Sequence, residues 1–117
     1  MLEPNREELA WAAGFFDGEG HVRCRRSNTT KQLILQVNQV GRETLDRLRQ
    51  TVGFGTVDGP YQNGTQVNRS PHYKYWVCNF EHVQAAIALM WPWLSSPKKS
   101  DARQALLDMR VYNRGRG

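Results

Sequence analysis

Two carboxylates, Asp17 and Glu19, alternate with two glycines in the short segment 17–20. Because glycine readily ends helices, we expect the first helix to stop here with both acids in its last turn. An acidic side chain at a helix C-terminus faces the unfavourable end of the helix dipole, so stability alone explains the pair poorly. Carboxylate oxygens are hard ligands that suit Mg²⁺. The alternative is that the two acids only solvate the helix end.

The predicted helix also has one side with almost no side chains. Small residues recur along it at spacings of three and four, namely Ala10, Ala13, Gly14 and Gly18. Residues at these spacings lie on one side of a helix, and another helix can approach such a side very closely. The contact can lie within one chain or between two chains, and the pattern leaves both open.

The elements that must position these residues follow from capping and periodicity. Asn5 and Glu8 form a capping-box pattern at the start of the first helix. Ser96 and Pro97 predict a helix that is capped by the serine and has proline at its first position. The first half of the chain predicts a helix from Asn5 to about Gly18, strands over 21–25 and 32–38, and a helix over 41–52. The second half predicts a short strand at 56–57, a loop over 59–71, a strand over 72–79, and helices over 81–90 and 97–109. This order, α-β-β-α-β-β-α-α, predicts an α+β fold with helices on the one apolar face of a four-stranded antiparallel sheet.

The other face of that sheet is predicted to be polar. Alternation along the first two strands places on it His21, Arg23, Arg25, Gln32, Gln36 and Asn38, with Ile34 as the one apolar residue. Arg and Gln have forked donors and acceptors that match base edges in the major groove of DNA. An ordinary solvated sheet face is the alternative.

Composition is consistent with one small domain and an anionic partner. The chain has 117 residues and a formal charge of +5, which favours nucleic acid only weakly. Cys24 and Cys78 form no CxxC pair, so two reduced structural thiols are expected instead of a zinc or redox site. The sequence has neither a signal peptide nor a run of about 20 apolar residues, so we expect a cytoplasmic protein without a membrane partner. A single domain over 1–112 and a disordered basic tail over 113–117 are predicted.

The segment 12–20, Ala-Ala-Gly-Phe-Phe-Asp-Gly-Glu-Gly, resembles the LAGLIDADG motif of homing endonucleases. The resemblance extends to 36–39, to 53–55, and to Leu94 and 98–102, so it covers nearly the whole chain. It implies a homodimeric, single-motif enzyme in which two motif helices pack across a twofold axis. Such a dimer straddles a near-palindromic double-stranded DNA site and cuts both strands. The implied dimer interface is Ala10, Ala13, Gly14, Asp17 and Gly18.

The resemblance also implies roles at the active site. Glu19, with the backbone carbonyl of Gly18, would bind catalytic Mg²⁺, or Mn²⁺ in its place. Gln39 would hold the attacking water, and Lys98 would stabilise charge or shuttle a proton. The residues 95–97 depart from the apolar-basic run that is usual before this lysine, so Lys99 is an alternative. Asp17 is expected to make a local hydrogen bond or cap.

The implied DNA contacts are His21, Arg23, Arg25, Gln32, Ile34, Gln36, Asn38, Arg42, Lys74 and Trp76. No small-molecule substrate is implied. Two other functions fit the same scaffold: a DNA-binding regulator that no longer cleaves, and an RNA-binding cofactor of intron splicing. The presence of Glu19, Gln39 and Lys98 together favours the enzyme.

Overall fold

The structure, a computed structural model, describes residues 5–27, 30–62 and 71–116. Its elements are α1 (Arg6–Glu19), β1 (Gly20–Ser27), β2 (Thr30–Gln39), α2 (Arg42–Val52), β3 (Thr56–Tyr61), β4 (His72–Val77), α3 (Phe80–Met90), a 3₁₀ turn (Trp91–Trp93) and α4 (Ser96–Arg116). The predicted α+β fold and element order are confirmed. No helix in the described ranges combines the length and apolar character needed to cross a membrane.

The four strands form one antiparallel sheet in the order β1-β2-β4-β3. The helices cover one face of it and bury a single apolar core. Because side chains alternate along a strand, every second residue of β2 and β4 points into that core. Its largest fully buried side chains are Phe16, Leu33, Leu35, Val37, Leu45, Leu48, Tyr75, Val83 and Met90.

Helix α1 begins with half of the predicted capping box. The Oδ1 atom of Asn5 accepts a hydrogen bond from the backbone N–H of Glu8 at 3.1 Å. The Glu8 carboxylate turns away from Asn5 and binds Arg47 through two bonds of 2.7 and 2.9 Å. The guanidinium also lies 3.7 Å from the centre of the Trp11 ring. Glu8 therefore joins α1 to α2 instead of closing the cap.

Strand β3 is longer than predicted. It continues through Gly59 and Pro60 to Tyr61, a segment that the sequence assigned to a loop. The pairing with β4 shifts between Asp58 and Tyr61, and Gly59 has φ of +130°. Proline lacks an N–H and glycine tolerates positive φ, so both fit an irregularity in an outer strand.

Helix α4 differs from the prediction at both ends. Ser95, and not Ser96, lies at the cap position, because the helix includes Ser96 and the Ser95 Oγ accepts from the N–H of Lys98 at 3.4 Å. The helix continues to Arg116, where the sequence predicted a disordered tail from Asn113.

Candidate active site

The end of α1 forms a direct junction with β1. Glu19 is the last residue of the helix and is exposed, and Gly20 is the first residue of the strand. A Cβ atom at Gly20 would lie 2.2 Å from Cδ2 of Phe16. The glycine is therefore needed for the Phe16 ring to pack beneath the junction. This packing holds the Glu19 backbone at the edge of the sheet.

Lys98 reaches the same junction from α4. Its Nζ donates a hydrogen bond of 2.6 Å to the backbone carbonyl of Gly20 and lies 5.5 Å from the centre of the Phe16 ring. The neighbouring Lys99 lies instead 5.3 Å from the ring centre of Trp91. Of the two lysines that the sequence left open, Lys98 is thus the one placed beside Glu19.

Asp17 binds the residue that precedes α4. Its Oδ1 accepts from the backbone N–H of Ser95 at 2.9 Å and from the Ser95 hydroxyl at 2.8 Å. These backbone and side-chain hydrogen bonds, together with the nearby charge of Lys98, hold the pKa of Asp17 below its usual value. The expected hydrogen-bonding role is seen, but its partner is 78 residues away in sequence and not local.

Gln39 is the last residue of β2, at the same end of the sheet as the junction of α1 with β1. Strand β1 begins with Gly20 opposite Val37, so the last residue of β2 extends past the start of β1 toward the end of α1. Gln39 is half-buried, and its Oε1 accepts from the N–H of Val40 at 3.2 Å. The three predicted catalytic residues therefore lie at one end of the sheet, where α1 joins β1.

The oxygen donors at this end of the sheet suit a hard divalent cation, but one chain supplies few of them. Glu19 offers an exposed carboxylate, and the Gly18 carbonyl lies in the last turn of α1, where backbone oxygens lack helical partners. Among the described residues, no three His, Cys, Asp or Glu side chains come together in a way that could hold a metal ion. Oxygen donors of this kind fit Mg²⁺, and further ligands have to come from another molecule.

The open face of the sheet carries the predicted polar side chains in cross-strand rows. The register aligns His21 with Gln36 and Trp76, Asn38 with Lys74, and Arg25 with Gln32. His21, Arg23, Arg25, Gln32 and Asn38 are exposed, whereas Gln36, Lys74 and Trp76 are half-buried. The amide of Gln36 donates to Oδ1 of Asn38 at 3.0 Å, which fixes one orientation of this amide pair.

Two of the predicted DNA contacts are placed differently from the rest. Ile34 is only 8% exposed and lies opposite Arg23, so little of its side chain is available to a partner. Arg42 is at the first turn of α2, with its Nε 3.4 Å from a carboxylate oxygen of Asp46 and its guanidinium 5.9 Å from the Tyr73 ring centre. Because Arg42 is on a helix, it does not belong to the cross-strand rows of the open sheet face.

A groove of about 350 Å³ opens where the sheet face meets α4. It is lined by His21, Val22, Arg23, Gln36, Asn38 and Asp101. Sequence reasoning missed Asp101, because this residue reaches the groove from α4 and no local pattern links it to β1. It also missed Ser95, whose link to Asp17 depends on tertiary contact.

The small residues of α1 do not share one environment. Ala13 is fully buried in the core of its own chain, with Leu9, Ala12 and Phe16, so its assignment to the dimer interface is wrong. The helix rotates by about 100° per residue, which turns Ala13 inward while Gly14 remains outside. A Cβ atom at Gly14 or Gly18 would meet nothing within 4 Å. A tight contact within the chain therefore does not explain these two glycines.

No family model and no characterised protein matches this sequence. Solved structures do match its fold. The homing endonuclease I-CvuI, solved with I-CreI target DNA and Mg, has a TM-score of 0.68 and 22% identity, over 88% of this chain and 68% of that one. The intron-encoded homing endonuclease I-CeuI with DNA has a TM-score of 0.70 and 14% identity, over 97% of this chain and 59% of that one. The LAGLIDADG meganuclease I-AabMI, bound to uncleaved DNA, has a TM-score of 0.68 and 21% identity, over 94% of this chain and 38% of that one. The chain therefore has the fold of the LAGLIDADG homing endonucleases.

Proposed function

We propose that this chain is the subunit of a homodimeric, metal-dependent endonuclease that cuts double-stranded DNA at a long, near-palindromic site. One observation carries the proposal: the Lys98 ammonium is bound to the carbonyl of Gly20, directly after Glu19. An exposed carboxylate beside this cation would repel the DNA backbone, so Glu19 is of little use to a sheet that only binds DNA. Together the carboxylate and the cation suit a site at which a phosphodiester is broken.

The open sheet face is the proposed DNA-reading surface. Its rows of Arg, Gln, Asn and Lys side chains supply donors and acceptors for base edges and phosphates. The formal charge of +5 adds a general attraction to the DNA backbone. Solved structures of the same fold include complexes with DNA, which supports this use of the face. The enzyme would act in the compartment that holds its DNA, which is the cytoplasm, a nucleoid or an organelle.

The exposed glycines of α1 support assembly into a dimer. Glycine in a helix interior costs about 1 kcal/mol relative to alanine, so Gly14 weakens the isolated subunit, in which a Cβ at Gly14 or at Gly18 would meet no other atom within 4 Å. A second copy of α1 packing against Gly14 and Gly18 gives them a role. Twofold packing there would also bring two Glu19 carboxylates near each other, which adds to the incomplete set of oxygen donors in one chain.

Each site residue then has a distinct task. Glu19 and the carbonyl of Gly18 would hold Mg²⁺, or Mn²⁺ in its place, and the bound cation would stabilise negative charge on the phosphate and leaving oxygens. Gln39 has an amide N–H₂ group that can orient a water molecule. Lys98, held at the Gly20 carbonyl, presents positive charge to the scissile phosphate.

A cleavage assay on a library of randomised DNA duplexes with Mg²⁺ tests the proposal. We expect the protein to enrich one near-palindromic site, to cut both strands there, and to stop cutting when EDTA is added. If it enriches a site but cuts no duplex in Mg²⁺ or Mn²⁺, it is a DNA-binding regulator. If it prefers structured RNA to every duplex, a splicing cofactor is the better description.

A further inference from the structure

We infer that Asp17 and Ser95 are positioning residues that hold Lys98 at the active site. The inference deepens the proposed endonuclease function and rests on it. Neither residue needs to touch DNA in this role. They fix the start of α4 to the end of α1, and so fix where the Lys98 ammonium lies.

The contacts form a closed loop between the two helices. Asp17 accepts two hydrogen bonds from Ser95, one from its backbone N–H at 2.9 Å and one from its hydroxyl at 2.8 Å. The Ser95 Oγ in turn accepts from the N–H of Lys98 at 3.4 Å. The Lys98 side chain then returns to Gly20, three residues after Asp17, with a bond of 2.6 Å. The lysine is thus held at both its backbone and its ammonium group.

The Ser95 hydroxyl links the two helices in this set of contacts. It donates to α1 and accepts from α4, which uses both functions of a single side chain. A serine that only capped α4 would need the second bond and not the first. A serine that only tied the helices together would need the first and not the second. Performing both sets the position of the first turn of α4 relative to Glu19.

Adjacent lysines show that the placement is selective. Lys98 and Lys99 are neighbours in the first turn of α4, and both are half-buried. Lys98 is directed to Gly20, while Lys99 lies over Trp91. Because a helix turns by about 100° per residue, a small rotation at its start would change which lysine reaches the junction. The Asp17–Ser95 contact opposes that rotation.

A double-mutant cycle on the DNA duplex selected by the parent protein tests the role. We expect Ser95→Ala to slow single-turnover cleavage by about 10- to 100-fold while duplex affinity, measured without added metal, changes little. Ser95→Thr, which keeps a hydroxyl, should restore most of the rate. In a Lys98→Met background, Ser95→Ala should cost less than about twofold, because the group that it positions is already absent. If the two losses multiply instead, Ser95 acts independently of Lys98 and the inference is wrong.

A second measurement needs no cleavage, and its first comparison is made within the parent protein. Brief acetylation of the free parent protein, followed by peptide mass spectrometry, compares the amines of Lys98 and Lys99. We expect Lys98 to react more slowly because it is bound to Gly20, and Ser95→Ala to reduce the difference. Equal rates in the parent overturn the inference even if Ser95→Ala does not fold. A parent that cuts no duplex contradicts the proposed function, whereas a parent and a Ser95→Ala variant that cut equally well contradict only this inference.

Discussion

The ammonium nitrogen of Lys98 lies 2.6 Å from the backbone oxygen of Gly20, the residue that follows Glu19. The lysine therefore contacts the helix-to-strand junction at the residue next to the exposed Glu19. Gly20 cannot readily be replaced, since the Phe16 ring occupies the space of any Cβ atom. The junction is closely packed against Phe16 on its core side, and the Glu19 side chain next to it is exposed.

Replacing Glu19 by glutamine should separate cleavage from binding. The substitution keeps the size of the side chain and removes the charge that would bind the metal. We expect Glu19→Gln to bind the selected duplex at least as tightly as the parent, because negative charge near the DNA backbone is lost, and to cut neither strand in Mg²⁺ or Mn²⁺. Gel-shift and single-turnover assays measure the two properties. Glu81→Gln, an exposed carboxylate in the first turn of α3, is the matched control and should cut normally. Comparable cleavage by Glu19→Gln would place the metal elsewhere, with Asp17 as the next candidate.

Gly14 gives a test of assembly in which stability and association change in opposite directions. Gly14→Ala should stabilise the isolated subunit by up to about 1 kcal/mol, because alanine favours the helix and the Cβ meets open space in the chain. The same Cβ should weaken a close helix-to-helix contact, and Gly14→Leu should prevent it. Sedimentation should show a dimer for the parent and a monomer for Gly14→Leu, which should not cut DNA. Gln50→Leu adds the same side chain to an exposed position on α2 and should leave the dimer intact. A parent that is monomeric at micromolar concentration and still cuts DNA contradicts the homodimer.

Arg25 and Arg26 offer a comparison of the two sheet faces. Arg25 lies on the open face in a row with Gln32, and Arg26 is the next residue and so points to the opposite side. Arg25→Ala should weaken specific binding by about 1–3 kcal/mol and relax the preference at one base pair in each half-site. Arg26→Ala removes the same charge and should affect the specificity much less. Binding to a panel of single-base variants of the selected site measures both. Equal weakening on all sequences, with a shallower salt dependence, would show that Arg25 contacts phosphate.

The Glu8–Arg47 pair should make stability depend on pH. Hydrogen bonds from Arg47, and to a lesser extent its charge, hold the pKa of Glu8 below its usual value. The folded state thus binds the Glu8 proton less readily than the unfolded state. The stability from this pair is present above the unfolded pKa of about 4.3 and is lost as the pH falls through the folded pKa. Arg47→Ala should therefore destabilise the protein at about pH 7 and have less effect at about pH 3.

Urea unfolding at the two pH values, with an NMR titration of the Glu8 carboxyl, checks this expectation. Arg42→Ala is the control, because it removes an exposed arginine from the same helix without touching Glu8. An unchanged Glu8 titration in Arg47→Ala would mean that the pair does not persist in solution.

Local patterns in the sequence predict much of this fold. Alternation in β1 and β2 correctly separates core residues such as Leu35 from open-face residues such as Gln36. Asn5 caps α1 as expected. These features depend on backbone geometry and on neighbours within a few residues, so one sequence is enough to recognise them.

The features that the sequence did not predict depend on distant contacts. Nothing near Ser95 in the sequence indicates that Asp17 accepts a hydrogen bond from its hydroxyl group, and so the sequence pattern points to Ser96 as the cap of α4 where the structure has Ser95. Small side chains at helical spacing suggested one bare stripe, yet Ala13 turns into the core and Gly14 does not. The spacing of small residues predicts which side of a helix they share only to within about one residue. Burial of Leu9 and Phe16 on the core side of α1 determines that Ala13 also faces the core.

The outer strand β3 limits how this chain can aggregate. It is interrupted by Gly59 and Pro60, and the proline has no N–H to offer to an incoming strand. This edge is therefore no long, regular template for β-pairing with another copy. Growth of a fibril by strand addition is obstructed at this side of the sheet.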